Sequence, residues 1–124
     1  MQRALNLENA KKKCELLLQI PDIRFAGLID PMGNLIAGGF RPDVEPLKDE
    51  NERKKMFMEV VLRQRTREEF DHNLGSVEYA SARRKNVIVL SFPIGKNVLL
   101  ISAEKHLDMD RTAKKIMDIW STVL

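Results

Sequence analysis

Few side chains in this sequence are of the kinds that do chemistry, and their spacing does not gather them. One cysteine, Cys14, and two histidines, His72 and His106, are all the thiol and imidazole in 124 residues. A lone cysteine closes no intramolecular disulfide, and one thiolate is not a metal cage. It falls on the apolar side of a predicted helix, where a small buried residue is expected. His72 stands near a helix end and His106 in a strand-to-helix connection, neither with a Cys, Asp or second His at ligand spacing. There is no Gly-x-Ser-x-Gly elbow. Gly33, Gly38 and Gly39 lack the spacing of a phosphate loop, and no Lys-Ser or Lys-Thr pair follows them. The expectation is a protein with no catalytic constellation, no metal and no cofactor.

What remains is charge. The formal net charge is +3, with basic residues scattered among 18 acidic ones. Nucleic-acid binding calls for cations gathered on one face with aromatics between them, so no nucleic-acid partner is expected. Lys11–Lys13 form the solvated side of a helix. Arg63, Arg65 and Arg67 on a later helix, with Arg83 and Arg84 in a turn, are the candidate contacts to an acidic protein partner, which they would steer by long-range attraction. The composition, 44% hydrophobic and 31% charged, is that of an ordinary folded chain. No apolar run reaches bilayer length, and MQRALNLENAKKK lacks a signal-peptide core. No membrane insertion, a cytoplasmic location and one domain over residues 1–124 are therefore expected.

The elements that position these residues are organised by Asn86–Glu104, NVIVLSFPIGKNVLLISAE. Val87–Leu90 and Val98–Ile101 are apolar at every position, as strands covered on both faces are. Pro93-Ile94-Gly95-Lys96-Asn97 between them is turn chemistry, so the stretch predicts a hairpin inside a sheet. A first helix is predicted over Leu7–Gln19, capped by Asn6 and stopped by Pro21, with Leu7, Ala10, Cys14, Leu17 and Leu18 on one face. Strands follow at Ile23–Ile29 and Asn34–Gly38, joined by a type I turn over Asp30-Pro31-Met32-Gly33. Gly27 marks close packing or a bulge in the first of them. Arg41–Asn51 reads as a surface loop. A long helix is predicted from Glu52 to Asn73, its apolar face made by Met56, Phe57, Val60 and Val61, its charges paired as Glu59–Arg63, Arg65–Glu69 and Arg67–Asp71, and its end set by Gly75. Ser76–Arg83 is an edge strand, with Val77, Tyr79 and Ser81 on one side. A last helix, capped by Asp108, buries Ala113, Ile116, Met117, Trp120, Val123 and Leu124.

That order, and Leu16–Gly39 above all (LLLQIPDIRFAGLIDPMGNLIAGG, with Pro21 and Ile23 entering a strand and Asp30-x-x-Gly33 leaving it), resembles the Roadblock/dynein light chain family, whose architecture is related to profilin-like and longin domains. The resemblance implies an α+β, three-layer α/β/α sandwich. Its five-stranded antiparallel sheet would have the order 2-1-5-4-3, with the second helix on one face and the first and last helices on the other. It also implies a non-enzymatic homodimer that docks or regulates a small Ras-like GTPase or scaffolds a complex. The dimer interface would be drawn from Met56, Phe57, Val60 and Val61 and from the edge residues Val77, Tyr79 and Ser81. A small-molecule-sensing, PAS- or profilin-like domain is the alternative.

Overall fold

The structure, a computed structural model, describes residues 6–45 and 49–122. Expected features at Val123, Leu124 and the middle of the Arg41–Asn51 loop lie outside that range. The chain begins with α1 (Leu7–Leu18), which Asn6 caps by accepting the Asn9 N–H at 3.1 Å. Ala10, Cys14 and Leu17 form its buried face. After Pro21 the backbone turns sharply at Asp22 (φ +78°), the one non-glycine residue with positive φ among those described. The Asp22 carbonyl accepts the Glu104 N–H at 2.9 Å, which ties the start of one central strand to the end of its neighbour.

Strands β1 (Ile23–Ile29) and β2 (Leu35–Phe40) form the first hairpin. Its turn is built by Asp30. The Asp30 carbonyl accepts from Gly33 N–H at 2.9 Å, and its carboxylate Oδ1 accepts from the amides of Met32 and Asn34, both at 2.9 Å. These donors, that of Asn34 foremost, hold the carboxyl below the usual aspartate range. Gly27 is a site of close packing: a Cβ there would stand 2.6 Å from the Leu35 side chain and 2.7 Å from the Phe25 ring. Gly38 (φ +87°) is tighter still, since a Cβ would meet the Ala26 carbonyl oxygen at 2.0 Å.

The second helix departs from expectation at both ends. Helix α2 runs over Glu50–Glu68, two residues earlier than the apolar pattern indicates, because Asp49 and Glu52 form a capping box. It then breaks at Glu69–Phe70, and a single turn, α3 (Asp71–Leu74), follows. Beyond Val61 and Gln64 the helix buries nothing more, so no packing extends it through the charged stretch. The break also undoes the expected charge ladder. Glu59–Arg63 closes at 3.7 Å, while Arg65–Glu69 and Arg67–Asp71 are not among the ion pairs formed by the described residues. Gly75 ends α3 with φ +84° and ψ 164°, an extended glycine conformation rather than the left-handed helical one.

Strand β3 (Ala80–Arg83) is shorter than expected, leaving Val77 and Tyr79 outside it. Strands β4 (Val87–Ile94) and β5 (Asn97–Glu104) form the predicted hairpin, and α4 (Met109–Trp120), capped by Asp108, closes the chain. The antiparallel sheet has the order β2-β1-β5-β4-β3, which puts the hairpin in its interior and β3 at an edge. One face carries the larger core: Ala10, Cys14 and Leu17 of α1 and Ala113, Ile116 and Trp120 of α4 pack on Leu28, Ile88, Leu90, Phe92, Leu99 and Ile101. The other face carries a small one, where Phe57 and Val61 of α2 meet Phe25, Ile29 and Leu100. This is the three-layer α+β arrangement anticipated above.

Two outcomes test this account. Leu99→Ala and Ile101→Ala each remove a fully buried side chain, and chemical denaturation will show a loss of about 2–5 kcal/mol for each. Asp30 has a folded pKa below its unfolded value, so its contribution to stability is present above the unfolded pKa of 3.8 and disappears as pH falls through the lower folded value. Asp30→Ala will therefore narrow the stability difference between neutral and acidic pH, as read from denaturation midpoints.

Candidate interaction surface

The chemically capable side chains stay apart in three dimensions. Cys14 is fully buried under α1, and burial, with a smaller contribution from Glu15, pushes its thiol up to about 11. His106 pairs with Asp22 at 3.3 Å on the surface. Among the described residues, no group of three or more His, Cys, Asp or Glu could hold a metal ion, and no helix is long and apolar enough to cross a membrane. Lys13 lies 5.4 Å from the Trp120 ring, so one of the three consecutive lysines is drawn into packing between α1 and α4.

The residues expected at an interface divide into two sets. Phe57 and Val61 point into their own sheet, 8% and 4% exposed, and seat α2 rather than face outward. Met56 and Val60 beside them are half-buried. Leu62 is 57% exposed, Met58 is packed beside Gly33 of the β1–β2 turn with 36% of its surface exposed, and past the break Phe70 and Leu74 are 51% and 81% exposed. None of these four belongs to the expected interface set.

Tyr79 is turned toward α4. Its ring stacks on Phe92 with centroids 5.8 Å apart, and its hydroxyl donates to the Asp110 carboxylate, a bond that raises the phenol pKa. Val77 is half-buried just before it, and Ser81 is exposed within β3. Hydrogen bonding fixes how that edge is presented. Arg84 N–H donates to the Val87 carbonyl at 2.9 Å, and alternation along an antiparallel ladder then makes Ala82 and Val89 a bonded pair. Ser81 and Arg83 alternate with them, so their backbone N–H and C=O groups face outward.

The arginines likewise do not form one patch. The Arg83 guanidinium donates to the carbonyls of Lys105 and Leu107, the latter at 3.1 Å, and so fastens β3 to the turn before α4. Arg63 pairs with Glu59, whereas Arg65 is exposed and Arg67 half-buried on the charged end of α2. Arg84 lies in the β3–β4 turn, at the mouth of an open trough of about 650 Å³ between the first half of α2 and the sheet. The floor of the trough is apolar: Phe25, Phe40, Phe57, Val87, Val89 and Leu100.

Separating helix-seating residues from surface residues on α2 yields a direct check. Phe57→Ala will cost about 3 kcal/mol or more in thermal or chemical unfolding, while Leu62→Ser will stay within about 0.5 kcal/mol of the parent.

The comparisons with known proteins fit this fold. No curated protein matches the sequence. The Roadblock/LC7 domain from Streptomyces avermitilis is similar in structure, with a TM-score of 0.67 at 11% identity over 89% of this chain and 90% of that one. Myxococcus xanthus MglB superposes with a TM-score of 0.72 at 10% identity, covering 97% of this chain and 88% of that one. A structure described as MglB with tetrameric arrangement gives 0.66 at 15% identity, covering 96% and 93%. The fold is thus Roadblock-like. Residues 2–122 match the family model described as "Family of unknown function (DUF6659)", and the chain belongs to that family.

Proposed function

We propose that this protein is a non-catalytic interaction module that pairs with a second copy of itself and docks a small Ras-like GTPase or holds a larger assembly together. The observation that carries this reading is an outer strand with free backbone groups, at Ser81 and Arg83, in a Roadblock-like fold whose α2–α3 segment leaves large apolar side chains exposed. An unpaired strand edge is a template for another chain. Two copies joined edge to edge about a two-fold axis would extend the sheet. Ser81, with Val77 and Tyr79 leading into the strand, forms the seam. Met56 and Val60 flank it, while Phe57 and Val61 serve it indirectly by holding α2 on the sheet. The tetrameric arrangement named for a structurally similar protein supports self-association.

The GTPase rests on the Roadblock resemblance. An acidic surface of such a partner suits Arg63, Arg65 and Arg67 along the end of α2, with Arg84 a separate contact beside the first half of the helix. Arg83 contributes by fixing the edge rather than by reaching outward. The scattered chemical groups support a role without catalysis; the reading includes one domain working in the cytoplasm.

Ser81→Pro is the discriminating substitution, because it deletes an outward-facing donor and leaves the inward ladder to β4 intact. Light scattering will find the parent dimeric at high micromolar concentration and the variant shifted toward monomer. A parent that stays monomeric at that concentration overturns the self-pairing. For the GTPase, Arg63→Glu combined with Arg67→Glu will slow association with the purified GTPase and remove most of its salt dependence.

A further inference from the structure

The trough between α2 and the sheet has a composition that the dimer does not explain. Its floor is apolar and aromatic, and its rim is basic: Arg24, Arg53 and Lys55 on one side and Arg84 and Lys85 on the other, against two acids, Glu52 and Glu59. Both acids have other partners, Glu52 accepting the Asp49 N–H in the capping box and Glu59 pairing with Arg63. Arg24 is held by Glu104 at 3.2 Å and by the Glu45 carbonyl, and Arg53 lies over the Phe40 ring. Lys55, Arg84 and Lys85 form no ion pair among the described residues and stand exposed at the mouth. The rim is therefore cationic where it meets solvent.

We propose that this trough binds an acidic segment of a partner protein, seating one or two of its apolar side chains on the floor and setting its carboxylates against Lys55, Arg84 and Lys85. The proposal deepens the docking role above and rests on it. Charge selects the occupant. A second copy of this chain brings a net charge of +3 and meets repulsion at this rim. A small metabolite is disfavoured by the lining. Specific small-molecule sites place a few polar groups inside the cavity to read the ligand. Among the described residues the uncharged polar side chains lining it are Asn86 and Ser102, and the buried side-chain atoms without a partner, on Gln64 and Asp71, lie outside the trough. An apolar slot with cations above it instead suits a side-chain anchor flanked by glutamates or aspartates.

The probe is a short fluorescein-labelled peptide with a Phe-x-x-Leu pair surrounded by Glu, compared with the same peptide carrying Lys in place of every Glu. Fluorescence polarisation on the full chain will show binding of the Glu peptide that weakens with added salt and falls by roughly tenfold or more in the Arg84→Glu, Lys85→Glu double variant. Lys55→Glu, which reverses a charge on the helix side of the rim, will weaken it in the same way without touching the turn. Light scattering on both variants will show self-association unchanged. Equal binding of the two peptides, or indifference to both variants, overturns the proposal and leaves the dimer and its GTPase standing. Loss of self-association in the double variant also overturns it, because a second copy is then the occupant.

Discussion

The structure depends on β5 being covered on both sides and both edges. Leu99 and Ile101 face α1 and α4, while Val98 and Leu100 face the other way, and all four are buried. Complete burial of such a side chain contributes about 1.5–3 kcal/mol. The same strand supplies the hydrogen-bonding partner of β1 on one side and of β4 on the other. Every other element is attached through this strand or through one of its two neighbours. Of the short strand-to-strand connections around it, Arg84–Asn86 is polar and exposed, while Asp30–Asn34 buries Gly33 beneath a turn held by the Asp30 carboxylate.

This centre was legible because a doubly buried strand leaves an unbroken apolar run, and Val87–Leu90 and Val98–Ile101 are such runs. The Asp30 turn was legible for a related reason, since Asp, Pro and Gly each have one favoured place in it. Helix α1 and helix α4 followed from apolar residues at helical spacing with a capping side chain before each. Helix α2 was less so. Its start is decided by the reciprocal bonds of Asp49 and Glu52, a local device that the apolar pattern does not contain. Its end is decided by the absence of buried contacts after Gln64, which no single residue announces.

The surface was harder to read than the core. A sequence names the arginines but not what they touch. Arg83 and Arg84 are neighbours with identical side chains, yet one is bonded to the carbonyls before α4 and the other stands at the mouth of the trough. Tyr79 looked like a seam residue because it alternates with Ser81, and alternation did place both on the side of the sheet that faces α4. What the pattern could not supply was the Asp110 carboxylate, thirty-one positions along the chain, that takes its hydroxyl. The trough itself joins side chains from β1, β2, α2, β4 and β5, and no local motif encodes such a gathering.

The two cores on either side of the sheet are unequal, and the inequality sets where the chain tolerates substitution. The α1–α4 side is dense, and most substitutions there cost stability at once. The α2 side rests on a handful of buried residues, with Phe57 and Val61 the principal ones from the helix. Outside those two positions α2 can change its outer residues, its charge pattern or the point at which it breaks while the rest of the sheet stays folded. Surface change on α2 is thus decoupled from the stability of the rest, with the opposite face serving as a fixed chassis.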